Sequence, residues 1–159
     1  MLVYIIDGWN VVHKLKKIKT AARPRQALVD HIRKHGLTGS VNNKVIVVFD
    51  GFFPLDEMRP EPDYRIMFSE EREADDLIIE QIERGNNPKQ KVVVSDDRKI
   101  VSAARLKGVK VLPVREFIAL KKKKKAEPEG PEKNIKYSDQ RDITEEMRKI
   151  WLNGDTKGK

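Results

Sequence analysis

Aspartates hold the chemistry this sequence could do. Asp7 stands at the end of the apolar run in "YIIDGWNVVHK", with Asn10 three residues later. Asp50 ends "KVIVVFD", Asp96 and Asp97 end "KVVVSDD", and Asp75 and Asp76 open a helical pattern in "EADDLI". A carboxylate at the mouth of a core strand is costly unless something pairs with it. Gathered carboxylates repel, so protons or a cation must join them. The hard ions Mg²⁺ and Mn²⁺ take carboxylate oxygens and water. The chain has no cysteine and three histidines, a composition that disfavours zinc. One or two hard cations at such a cluster could activate water against a phosphodiester and stabilise the leaving oxygen.

Each acid also has a plainer reading. Asp75 and Asp76 suit the positive end of a helix dipole. Ser95 or Asp96 suits a helix cap, and Asp50-Gly51 a turn. Asn10 suits either a local cap or a neutral ligand that positions substrate. Gly8 reads as a tight turn, and Trp9 as a packing residue rather than a platform for a base. What favours a shared site is the conjunction of three separate apolar strands that stop on Asp.

The elements that must position these residues alternate. Residues 2–6, 44–50, 91–97 and 109–114 read as strands, with a weaker candidate at 64–69. Helical patterns occupy 24–35, between Pro24 and Gly36, the stretch 71–84 before Gly85, residues 98–106 and a short piece after 114. Val- and Ile-rich runs separated by helices indicate βαβ units and a parallel sheet covered on both faces. In such a sheet ligands bind beyond the carboxyl ends of the strands, where the aspartates fall.

With 159 residues and a net charge of +8, the chain can bury one core and favours a polyanionic partner. Lys14, Lys16, Lys17, Lys19, Arg23 and Arg25 follow the first motif and could hold a nucleic-acid backbone. Lys121, Lys122 and Lys123 belong to a lysine block that opens a Pro-rich linker. Beyond the linker, Ile143, Met147, Ile150 and Trp151 mark an amphipathic helix whose face must dock elsewhere. The division expected is therefore a domain over 1–120 and a basic linker with a helix over 121–159. No apolar run approaches the ~20 residues of a membrane span. No basic segment precedes a long apolar stretch, so no signal peptide is expected and a cytoplasmic setting fits.

"IIDGWNVVH", "VIVVFDG", "EADDLI" and "VVVSDD", in this order, resemble the NYN branch of the PIN-like ribonucleases, and within it the YacP-like ribosome-associated endoribonucleases. The resemblance covers residues 1–120. It implies a PIN-like three-layer α/β/α domain with a mainly parallel central sheet, a Mg²⁺ or Mn²⁺ site at its acidic edge, and endonucleolytic cleavage of RNA, including mRNA on the ribosome. By position, Asp7 and Asn10 match the opening motif, Asp50 the second strand, Asp75 the helix start and Asp96 the later strand; Asp76 and Asp97 sit beside matched positions. A haloacid dehalogenase-type phosphatase would want an Asp where Trp9 stands, and a receiver domain would want an acid pair at the first strand. Two other readings stay open: a catalytically silent RNA-binding module of the same fold, and a PIN-type toxin nuclease with a small cognate partner.

Overall fold

A computed structural model describes residues 1–120; the linker and amphipathic helix expected over 121–159, with Lys121, Lys122 and Lys123, lie outside the described residues. Among the described residues five strands form the sheet: β1 (Val3–Asp7), β2 (Lys44–Phe49), β3 (Tyr64–Phe68), β4 (Lys91–Val94) and β5 (Lys110–Leu112). Every pairing is parallel, in the order β3-β2-β1-β4-β5. The chain winds outward from β1 in both directions, so the topological switch point lies at the carboxyl end of β1.

Neighbouring residues of the central strands face opposite layers, which is why their sequences are apolar throughout. Ile6, Val47 and Val94 join one core with Leu28 and Ile32 of α3 (Pro24–His35) and Val11 and Val12 of α1 (Gly8–Lys14). Val114 and Phe117 of α6, residues 114–120, the last helix among the described residues, join that layer. Ile5, Val48 and Val93 face the other core, with Leu77 and Ile78 of α4 (Ala74–Glu83) and Ile100 and Ala104 of α5 (Arg98–Leu106). The result is the three-layer α/β/α architecture expected from the sequence.

The first turn departs from expectation. Gly8 is no tight turn: β1 runs straight into α1, and Gly8 is the first helical residue. Asp7 is both the last strand residue and the helix cap, its carboxylate accepting the Asn10 N–H. Gly8 is needed for a close approach instead. A Cβ there would lie 2.3 Å from Cε1 of Phe49, a fully buried ring. The basic stretch after α1 also holds a short helix, α2 (Lys16–Lys19), anchored by buried Ile18.

At the start of β4, the opposite end of the strand from the acids, Lys91 is buried and donates from Nζ to the carbonyls of Gln81, Ile82 and Arg84, satisfying acceptors that the end of α4 leaves open. Burial holds its ammonium below the usual lysine range.

Candidate functional site

The register of β1 against β4 pairs Ile6 with Val94, which sets Asp7 level with Ser95 where the strands end. Both are buried, Asp7 at 8% and Ser95 at 1% exposure. The Ser95 hydroxyl donates to Asp7 Oδ2 at 3.1 Å. Its oxygen accepts from the Asp97 N–H at 3.0 Å and from Asn10 Nδ2 at 3.4 Å. Asn10 Nδ2 also reaches Asp7 Oδ2, while the Asn10 N–H reaches Oδ1, both at 3.4 Å. One serine thus ties together the ends of two strands and the starts of two helices.

Asp50 is held by a second buried serine. Ser69 Oγ donates to Asp50 Oδ1 at 2.9 Å and accepts the Gly51 N–H at 3.1 Å. The same carboxylate oxygen accepts the Ala74 N–H at 3.1 Å, an otherwise open donor in the first turn of α4. Asp75 follows on that turn. A cleft of about 310 Å³ brings Asp7, Asn10, Asp50 and Asp75 together. Trp9 and His13 form its other wall.

Electrostatics separate the acids. Burial pushes the Asp7 carboxyl above its usual range; hydrogen bonds from Asn10 and Ser95 oppose this, and the Asp97 charge adds to it. Asp75 is raised by burial first and then by Asp97 and Asp7, with Lys99 opposing. Asp7, Asp75 and Asp97 therefore sense one another. Asp97 also caps α5 through Oδ1, which accepts the N–H groups of Lys99 and Ile100. Asp96 and Asp76 are drawn elsewhere. Asp96 is exposed and its Oδ1 accepts the Val114 N–H at 3.0 Å; Asp76 is exposed and pairs with Lys99 at 2.9 Å. Of the two acids that follow β4, neither lines the cleft, and Asp97 is the one whose charge raises Asp7 and Asp75.

The basic residues divide too. Lys14, Lys16, Lys17, Lys19 and Arg23 are exposed on the segment that leaves the cleft through α1 and α2. Arg25 is engaged within the fold: its N–H and guanidinium bind Glu57, and the guanidinium carbon lies 4.7 Å over the Trp9 ring. Trp9 packs, as expected, edge-on to Phe49, and His13 stacks on it with centroids 5.9 Å apart. Sequence reading passed over His13 and gave Ser95 and Ser69 no role at the acids. His13 carries a signal in hindsight, since α1 sets it one turn beyond Asn10. The serines carry none, because their partners are 88 and 19 residues away.

Among the described residues no group of three or more carboxylate or histidine side chains is placed to hold a metal ion. Mg²⁺ does not require one, since it is commonly held by one or two carboxylates and keeps several waters. Oxygen donors on Asp7 and Asp75, both pushed toward the protonated form, fit such a cation in chemistry.

A family model described as the YacP-like NYN domain matches residues 4–156 of the chain. The match continues well past residue 120, the end of the segment that carries the motif resemblance. A search of curated proteins found no match. Among solved structures, the crystal structure of Rae1 (YacP) from Bacillus subtilis is similar, with a TM-score of 0.65, 22% identity, and coverage of 99% of this chain and 98% of that one. Its W164L mutant is similar with a TM-score of 0.61, 19% identity and coverage of 98% and 99%.

Proposed function

The chain belongs to the YacP-like NYN domain family, a branch of the PIN-like nucleases, and on that premise we propose that it is a divalent-metal-dependent endoribonuclease acting at the Asp7 cleft. The observation that carries the proposal is the pair Asp7 and Asp75, from different layers of the fold, lining one cleft with Asn10 and Asp50 at the switch point. A protein that only bound RNA would gain nothing from negative charge beside phosphate.

In this reading Asp7 and Asp75 hold Mg²⁺ or Mn²⁺, with Asp50 and Asp97 completing the negative field. When bound, the cation supplies Lewis-acid activation of water and stabilises charge on the phosphoryl oxygens. Ser95 and Asn10 fix the Asp7 carboxylate, so its oxygens need no reorganisation when substrate arrives. The Asn10 amide, at the cleft wall, can also donate to a phosphate oxygen. Lys14, Lys16, Lys17 and Arg23 attract the strand and set its path into the cleft. Asp96 and Asp76 contribute charge from outside it. RNA on the ribosome, and with it a cytoplasmic place of action, is the substrate the family resemblance favours; among the described residues no helix is long and apolar enough to cross a membrane.

Titration calorimetry with Mn²⁺ tests the metal role. The full chain should bind Mn²⁺, and Asp7→Asn and Asp75→Asn should each weaken binding at least about tenfold, since each removes one of few charged ligands. Undiminished binding in both variants would remove the cleft from consideration as the metal site.

A further inference from the structure

The loop between β2 and β3 starts at Asp50 and then puts apolar side chains into solvent. Phe52 is 63% exposed, Phe53 48% and Leu55 86%. The loop is tied down at both ends. At its far end Arg25 pairs with Glu57, Met58 is buried, and the Arg59 N–H donates to Gln26 Oε1 at 2.9 Å. At its near end the Glu70 N–H donates to the Gly51 carbonyl at 2.9 Å, and the Phe53 ring meets Phe68 edge-on with centroids 5.4 Å apart. Glu70 makes that contact at φ 57°, a left-handed conformation that a residue with a Cβ adopts only at a cost. The ends of the loop and the Phe53 ring are therefore held, with Phe52 between them.

Phe52 lines a cleft of about 430 Å³ with Met67, Phe68 and Leu77, and the charged Glu70, Glu71 and Arg72 line it too. Ser69 also lines it, and Ser69 is the residue that clamps Asp50, which lines the acid cleft. The two clefts are therefore neighbours across the Asp50–Ser69 hydrogen bond. Arg72 pairs with Glu80 in the open at 3.2 Å, both side chains well exposed, so a phosphate could displace the carboxylate at little cost.

We propose that this second cleft is a nucleobase subsite, where an unpaired nucleotide beside the scissile phosphate stacks its base on Phe52. The inference rests on the ribonuclease reading and adds to it a base contact at Phe52. Bases within a duplex are already stacked and cannot offer a face to Phe52, whereas every unpaired base can. The apolar lining takes the base, Glu70 can accept from exocyclic N–H groups, and Arg72 can meet the backbone. The substrate strand then crosses from the basic segment of α1 and α2, over Asp7 and Asp75, to Phe52.

Fluorescence anisotropy of the full chain, in EDTA so that RNA stays intact, tests this with one labelled single strand and the same strand in a duplex. Phe52→Ala should weaken single-strand binding about 5- to 150-fold, the range that loss of one base–aromatic stack produces. Phe52→Trp should bind like the unsubstituted chain, Phe52→Leu like the alanine variant, and duplex binding should not change. Unaltered single-strand binding in Phe52→Ala, equal losses on strand and duplex, or full recovery in Phe52→Leu would each overturn the subsite, the last pointing to a merely apolar surface for a protein partner. A cleavage assay with Mn²⁺ separates the two proposals. Phe52-dependent binding without cleavage by the unsubstituted chain would sink the ribonuclease reading and leave the subsite. Cleavage that Phe52→Ala performs with unchanged KM and kcat would sink the subsite and leave the ribonuclease.

Discussion

Replacing Gly8 by alanine sets a methyl group against the Phe49 ring, 2.3 Å from Cε1, 2.5 Å from Cδ1 and 2.9 Å from Cζ. The ring cannot swing clear. It is fully buried, edge-on to Trp9 with centroids 6.0 Å apart and stacked on Phe68 at 5.8 Å. Overpacking of this kind costs about 1–3 kcal/mol, and contacts under 3 Å to three ring atoms put it at the upper end. The better helix propensity of alanine offsets at most about 1 kcal/mol. A net loss of about 2 kcal/mol lowers Tm by roughly 4–8 °C in a chain of this length, measurable by circular dichroism. Displaced Phe49 also pushes Trp9, which lines the acid cleft, so RNA cleavage should fall more than stability alone explains. Adding Phe49→Leu makes room, and the double variant should be more stable than the sum of the single effects by at least about 1 kcal/mol. An unchanged Tm in Gly8→Ala, or strict additivity in the cycle, would refute the close-packing account of this glycine.

Asp7 has a raised folded-state carboxyl, so the native state binds more protons than the unfolded chain just above the ordinary value of 3.8, and stability is lost as pH rises through that window. In EDTA, Asp7→Asn should therefore melt above the unsubstituted chain at pH 7, with the gap closing below about pH 4; a gap constant with pH would contradict it. Ser95→Ala strips partners from Asp7, Asn10 and the Asp97 N–H, and should cost about 1–3 kcal/mol in urea melts as well as slowing cleavage. Lys91→Met leaves the carbonyls of Gln81, Ile82 and Arg84 without their donor and should destabilise by about 1–2 kcal/mol, with faster amide exchange at the end of α4 and intact Mn²⁺ binding.

The strands and long helices were legible because their signals are local. "VYII", "KVIVVF" and "KVVV" carry unbroken apolar runs, and Pro24 and Gly36 bracket α3 as their backbone preferences demand. Helix α1 was not legible: it opens on glycine and tryptophan, both poor helix formers, and is started by the Asp7 cap and the packing of Val11 and Val12. The convergence of Asp7, Asp50 and Asp75 could be read from strand ends and a helix start. The ranking of Asp96 above Asp97 could not be resolved, because it depends on which carboxylate the Val114 N–H and the start of α5 each claim. Arg25 looked like its basic neighbours until the distant Glu57 took it.

Cleavage of a defined single-stranded RNA by the purified full chain, compared with its Asp7→Asn variant, tests the central claim most directly. With Mg²⁺ or Mn²⁺ present, the unsubstituted chain should produce internal cuts that EDTA abolishes and added metal restores. Asp7→Asn should slow those cuts at least about 10²-fold while still binding RNA, since the loss falls on the reacting phosphate rather than on the strand. Cuts that persist in EDTA, or at an undiminished rate in Asp7→Asn, would contradict the account and favour a module that binds RNA without cleaving it at this cleft.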